Sequence, residues 1–485
     1  PLAIELAAAR IKLLSPEAML QRLSNRLELL TAGARDLPAR QQTLRNAIDW
    51  SYSLLDSKEQ TLFTRLGVFV RGCTLEAIEA VCSTPAVPAG DLDVLELLQS
   101  LVDKSLVQEQ GQDSGEPRFV MLEIIRDYAL ERLKANGEAE QMQRQHAAYY
   151  LALAERTAPE LKGPRQSLWV ARLEQEHDNL RAVLRWSLDR GEVETAARLG
   201  WAVWVFWWIH GHLSEGQRWM EEALARGNTL PARLRARAFC AAGGMAYLQG
   251  DYERAVSLCE ACVALFPEVG DKGVKAYALH TLGHVTMGRR DYERAHIFLD
   301  ESVQLFRELG DKWGESFGRA GLGRLALAQG DVERAIPLLE ETLALGRELG
   351  NRFVIAWALA HLGHAALAQN DYERATPLFE ESLELGHQLG DKMNVAECLD
   401  GLAGVAGAQA GDPEAALRAA RLFGAAEALR DAIGATRPPF LQSHCERIAV
   451  TVAIQLGEDA SAAWAEGRAI AMEQAITYAL NRESN

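Results

Sequence analysis

At 485 residues the chain exceeds what one hydrophobic core usually serves, so two or three domains or an extended repeat array are expected. A formal net charge of -16 and a pI near 5.3 repel a phosphate backbone, which argues against direct nucleic-acid binding or an anionic membrane surface and leaves proteins or small molecules as partners. Seven cysteines, at 73, 82, 240, 259, 262, 398 and 445, are scattered through apolar helical patterns and read as reduced core thiols. With no signal peptide, and with the most apolar stretch at 201–209 too short to span a bilayer, a soluble cytoplasmic protein with no membrane partner is expected.

The chain opens on Pro1-Leu2-Ala3-Ile4-Glu5-Leu6-Ala7 without a methionine and runs at once into an apolar helical pattern, as expected of a piece of something longer. Over 1–42 the apolar spacing and the Ser15-Pro16-Glu17 helix start predict a small helical module. Residues 43–134 predict helices at 43–55, 58–69, 74–82 and 92–102, then strands at 105–109 and 118–121 joined by a glycine-bearing turn at 111–115. Helices closed by a two-stranded wing describe a winged helix. Such folds often read DNA through the third helix, but here that helix carries Glu76 and Glu79 and no Lys, Arg, Asn or Gln for base edges. Residues 41–134 hold 9 Lys and Arg against 15 Asp and Glu, so the module reads as a packing element, with DNA binding the disfavoured alternative.

Residues 135–231 stay helical but less regular. Trp201, Trp204 and Trp208 share a helical face, which reads as a packing surface where the following array meets the preceding domain, with a ligand pocket as the alternative. The segment His177-Asp178-Asn179-Leu180-Arg181 reads as a helix-start capping cluster. Over 232–431 the chain repeats itself every 40 residues, with Asp251-Tyr252-Glu253-Arg254-Ala255 recurring from Asp291 and Asp371 and, with Val332 in place of the tyrosine, from Asp331. Gly243, Gly283, Gly323, Gly363 and Ala403 each stand 12 residues before an alanine, at 255, 295, 335, 375 and 415. Leu282, Leu322, Leu362 and Leu402 precede the small residue, and Cys259, Leu299, Leu339 and Phe379 follow the alanine by four. This spacing resembles the tetratricopeptide repeat, lengthened by the loops at Gly270, Gly310, Gly350 and Gly390, and predicts an α-α superhelix. Residues 432–485 read as its helical cap.

Chemistry is scarce. No phosphate-cradling loop of the form G-x-x-x-x-G-K-[ST] occurs, so no cofactor and no catalytic residue is assigned to this chain. Cys259 and Cys262 read as core, and His280 and His284 share a helical face without a third ligand nearby in sequence, so no metal is assigned either. The repeat register places Tyr277, Phe317 and Trp357 in one row of the concave face, His284, Arg324 and His364 in a second, and Met287, Leu327 and Leu367 in a third, with His280 beside them. Such a groove suits an extended peptide, a partner helix or a small-molecule inducer, although the aromatics could equally fill space between neighbouring helices.

Taken together, these segments resemble the region that follows the nucleotide-binding core in bacterial signal-transduction ATPases of the STAND class, which are NB-ARC-like. Pro1-Leu2-Ala3 resembles the end of the family's G-L-P-L-A motif, whose proline contacts adenine, so Pro1 is the nucleotide-contacting residue that the resemblance implies. Residues 43–52, with Glu59, Gln60, Leu62 and Phe63, look like the start of the family's winged helix. Residues 121–129 are similar to the segment bearing its Met-His-Asp motif, with Leu122 where the phosphate-sensing histidine would stand. The resemblance implies a regulator, often of transcription, in which an ATPase core acting in cis binds ADP or ATP, the winged helix closes over it and the repeats detect an effector. A free-standing repeat scaffold is the other alternative.

Overall fold

The computed structural model describes residues 44–83, 93–111, 116–227, 230–408 and 412–480. The helical module expected over 1–42, Pro1, and the wing turn at 112–115 lie outside the described residues. The chain divides into two compact units, Pro1–Leu153 with Gln175–Trp186, and Ala154–Glu174 with Ser187–Asn485.

The first unit contains α1 (Leu44–Ser53), α2 (Ser57–Leu66), β1 (Cys73–Thr74), α3 (Leu75–Cys82), α4 (Val94–Asp103), β2 (Gln108–Gln110), β3 (Arg118–Val120), α5 (Glu123–Ala135) and most of α6 (Ala139–Thr157). After α7 (Gln166–Gln175), which lies almost wholly in the second unit, the greater part of α8 (His177–Asp189) returns to the first. Asp56 starts α2 with a capping box, its carboxylate accepting from the Lys58 and Glu59 amides while Glu59 accepts from the Asp56 amide. Burial pushes the Glu59 carboxyl up, but hydrogen bonds from Lys104, Ser100 and the Asp56 amide outweigh it and hold it down at about 2. The wing has three antiparallel strands in the order β1-β3-β2, one more than expected. The extra strand uses Cys73 and Thr74, and Thr74 then N-caps α3 through its hydroxyl.

This unit does not end at 134. The carboxylate of buried Glu176 accepts from Arg118 Nη1 at 2.5 Å, Tyr150 OH at 2.9 Å and Asn179 Nδ2 at 2.9 Å. Asn179, fully buried, also accepts from the Val70 amide at 2.8 Å and donates to the Gly72 carbonyl at 2.9 Å. Asn179 is therefore a core polar hub rather than a helix cap, and satisfying Arg118 and the backbone at 70–72 draws 175–186 into the unit.

In the second unit, α9 (Val193–His210) and α10 (Leu213–Arg226) lead into paired helices: α11 (Ala232–Leu248) with α12 (Tyr252–Ala264) and the short α13 (Phe266–Val269), α14 (Lys272–Gly288) with α15 (Tyr292–Leu309), α16 (Lys312–Ala328) with α17 (Val332–Leu349), α18 (Arg352–Ala368) with α19 (Tyr372–Leu389), and α20 (Lys392–Gly407) with α21 (Pro413–Ile433). Three further helices follow, α22 (Pro439–Leu456), α23 (Asp459–Ala469) and α24 (Met472–Ala479).

Each recurring residue has a local task. Asp251, Asp291, Asp331 and Asp371 N-cap the second helices by accepting from the backbone amide three residues on. Asp271, Asp311, Asn351 and Asp391 cap the first helices in the same way. Gly310, Gly350 and Gly390 close the second helices with φ of 65°, 62° and 70°, a left-handed geometry that only glycine adopts without strain. A methyl group on Gly243, Gly283, Gly323 or Gly363 would lie 2.6–2.8 Å from Cys259, Leu299, Leu339 or Phe379, so the glycine and the large residue are two halves of one helix-to-helix contact.

The first helices are apolar nearly all round; in α18 every residue from Phe353 to Leu367 except Ile355 is buried. A surface of that kind must be covered on its inner side as well. The cover is α22, which packs on α14, α16 and α20, and the tryptophan face of α9. The C-terminal segment thus lies along the array instead of only capping its end. Among the described residues no helix is long and apolar enough to cross a membrane, and all seven cysteines are buried and unpaired.

Candidate functional site

Between α9 and the first helices of the repeats is a cavity of about 100 Å³. Its aromatic end is built on α9, whose helical spacing stacks Trp201 on Trp204 at 5.8 Å and Trp204 on Trp208 at 6.2 Å. Trp204 meets Tyr277 edge-on at 5.5 Å, and Trp208 meets Phe317 at 5.2 Å and Phe353 at 5.0 Å. These tryptophans pack on the repeats of their own unit, where the sequence had suggested a junction with the preceding domain. Tyr277 accepts from Lys162 Nζ at 3.0 Å and donates to Asp311 at 3.3 Å; burial, then the Asp311 charge, pushes its phenol far above the ordinary range. Trp357 donates to Asp391 at 2.9 Å. Burial raises the Asp391 carboxyl to about 7 against hydrogen bonds from the Asn394 amide and Trp357.

Polar groups gather at the other end of the cavity. His280 Nε2 lies 3.2 Å from the Phe317 carbonyl and 3.0 Å from His284 Nε2. Tyr247 stacks on His284 with ring centroids 5.5 Å apart. Arg324 donates from Nη2 to Tyr247 OH at 3.2 Å and lays its guanidinium 4.6 Å from the Phe440 ring centre, while its Nε has no partner. His361, 1% exposed, has no hydrogen-bond partner on either ring nitrogen, and its Nε2 stands 3.2 Å from Glu397 Oε1 outside hydrogen-bond geometry. Burial holds the imidazoles of His280, His284, His361 and His364 below their ordinary range, with Arg324 adding to the effect on the first three. At neutral pH these rings are uncharged.

The groove residues expected from the sequence divide between two places. Tyr277, His280, His284, Phe317, Arg324 and Trp357 line the cavity. Met287, Leu327 and His364 line a wider cleft of about 1060 Å³ beside α22, with Phe440, His444 and Arg447. Leu367 does neither; it is 3% exposed and packs into the core with Phe379 and Leu402. The rows therefore face α9 and α22 rather than an open groove. Sequence reasoning missed Glu397, although it stands one period beyond Trp357 in the row 277, 317, 357, and it missed Gly244, one period before His284 in the second row. Tyr247 was missed too, one period before Met287 in the third row, whereas His361 and Phe440 carried no periodic signal.

Residues 55–134 match the family model of a winged helix-turn-helix domain, and 316–386 and 354–421 match that of the tetratricopeptide repeat. The chain thus carries a winged helix-turn-helix domain followed by tetratricopeptide repeats. It is 43% identical over 227 residues to proteins of Mycobacterium bovis and Mycobacterium tuberculosis that carry the name of an HTH-type transcriptional regulator, a match covering 46% of this chain and 25% of theirs. The chain thus spans about a quarter of the length of these relatives. Among solved structures it is similar to a STAND protein with a tetratricopeptide repeat sensor from Pyrococcus horikoshii, at 16% identity and a TM-score of 0.44, covering 96% of this chain and 73% of that one. It is also similar to a Rap protein complexed with competence and sporulation factor, at 12% identity and a TM-score of 0.44, covering 68% of this chain and 99% of that one.

Proposed function

We propose that the repeat array is the sensor of a regulator, and that its signal is a small molecule held in the cavity between α9 and the repeats. The observation that carries this reading is the cavity, whose size decides between ligand classes. An apolar cavity of roughly 150 Å³ holds one benzene, so about 100 Å³ suits a small compound and not an extended peptide. Its few polar groups at one end among aromatic walls are what a small-molecule site needs for orientation. The test is to incubate the full chain with a metabolite extract, remove free compounds, denature the protein and identify what is released by mass spectrometry. One compound released by wild type and absent from Gly244→Leu, which fills the cavity, is the expected result; equal release from both sinks the reading.

The wider cleft supports a second reading, in which Met287, Leu327 and His364 receive a peptide or protein partner beside α22. A crosslink from His444 or Arg447 to a bound partner would support it, and partner binding unchanged by Leu327→Asp would exclude it. The winged helix acts as a lid on an ATPase core in the same protein rather than as a DNA reader. In support, the exposed positions of α3 include Glu76 and Glu79. Fluorescence anisotropy with random duplex DNA at low salt should show no saturable binding, and saturation would overturn the lid.

A further inference from the structure

The cavity has one charged wall, formed by Arg324. Within the cavity Arg324 is the charged lining residue; among the described residues it makes no ion pair, and the buried Glu397 carboxylate feels its charge only from beyond contact. A guanidinium held between Tyr247 and the face of Phe440, without a counter-ion in contact, is an unusual interior charge, because such groups are ordinarily paired.

The histidine pair adds a donor whose identity follows from the network. The Phe317 carbonyl can only accept, so His280 Nε2 carries the proton, and that N–H also faces His284 Nε2. His284 Nε2 is then the bare nitrogen. Since the ring is neutral, its proton sits on Nδ1, which is buried and has no partner. His284 is 1% exposed and lines the cavity, so an N–H donor stands at the same polar end as Arg324. His284 and Arg324 occupy equivalent positions of adjacent repeats, seven residues beyond Tyr277 and Phe317 on their helices. Seven residues rise roughly 10 Å along a helix, which sets the donors at one end of the cavity and the aromatic rings at the other.

We infer that the compound taken by this cavity is a small organic carboxylate, its carboxylate bound by the Arg324 guanidinium and His284 Nδ1–H and its apolar body lying among Trp204, Trp208 and Phe317. This inference rests on the small-molecule reading above and adds the charge and orientation of the ligand. A guanidinium fork matches the two oxygens of a carboxylate, and in a dry site each charge-assisted bond is stronger than a neutral one.

The experiment uses two matched pairs of probes small enough for about 100 Å³, propanoate with propanamide and butanoate with butanamide, titrated calorimetrically into the full chain at neutral pH. At least one acid is expected to bind about tenfold or more tightly than its amide, the factor that a single charge-assisted bond supplies. Arg324→Met should remove that preference and Arg324→Lys should keep part of it, with far-UV circular dichroism checking that both variants fold. Amides binding as well as the acids, or an acid preference that survives Arg324→Met, would overturn the carboxylate while leaving the small-molecule cavity standing. Binding of none of the four probes at millimolar concentration, together with no compound released in the extract experiment, would overturn both.

Discussion

Gly244 offers a direct test of whether the cavity is open space. It lies inside α11, lines the cavity, and a methyl group built on it comes no closer than 4.0 Å to another atom, Thr281 Oγ1. The glycines of the repeat contacts are the opposite, with clashes below 3 Å. Gly244→Ala should therefore stabilise the second unit by about 1 kcal/mol, the helix-interior difference between the two residues. Gly244→Leu adds carbon atoms that bury at about 0.8 kcal/mol each, less roughly 0.5–1 kcal/mol of rotamer entropy, so a gain of about 2 kcal/mol is expected overall. Filling the cavity gives a similar figure, since about 100 Å³ at roughly 24 cal/mol per Å³ is about 2.4 kcal/mol. Urea unfolding followed by circular dichroism and tryptophan fluorescence would measure the change, in the later of two transitions if the units unfold separately. The variant should be more stable and blind to the ligand, a combination expected where a void is kept for binding. A Gly244→Leu protein less stable than wild type would refute the reasoning, because it would show that no open space faces this residue.

Stability of the repeat unit should fall with acid. His280, His284, His361 and His364 are held neutral by burial, down to about 3 for His280 and about 4 for His364, while the unfolded rings titrate near 6.5. The stability they contribute is present above pH 6.5 and is lost as pH falls toward the folded values, at up to about 1.4 kcal/mol per unit for each ring. Asp391, raised to about 7, works the other way, losing stability as pH rises from about 4 to 7. The four histidines outweigh it, so the urea midpoint should drop between pH 7 and 5, and a flat profile would contradict neutral burial. In the first unit, Glu176→Ala strands the buried Arg118 guanidinium and should cost about 3–5 kcal/mol by denaturant titration; a loss under 1 kcal/mol would show that the network is not a stabilising hub. Asp331→Ala removes an exposed cap and should cost about 1 kcal/mol. Asp391→Ala should cost more at pH 6, because it also leaves the Trp357 indole N–H without its acceptor; equal losses would count against that bond.

The array was legible in the sequence because its determinants are local and recur. A capping Asp, a closing Gly and a Gly-to-large contact each act within one helical hairpin, so their 40-residue period appears in the chain itself. The winged helix was legible for the same reason, except that β1 needs Phe119 and Arg118 as partners, 44–46 residues away, and two residues carry no periodicity. The candidate site was legible only in part. Tyr277, Phe317 and Trp357 could be aligned in a row, as could His284 and Arg324, because one helix face repeats. What lies opposite that face could not be read. The nearly all-apolar first helices require a cover, but the requirement does not say which segment supplies it. Tertiary packing alone brought Trp204 and Trp208 onto the row from one side and Phe440 from the other, narrowing an expected open groove to a partly covered cavity. It also drew Glu176 and Asn179 into the first unit, since a buried guanidinium and backbone amide must find acceptors wherever the chain can offer them.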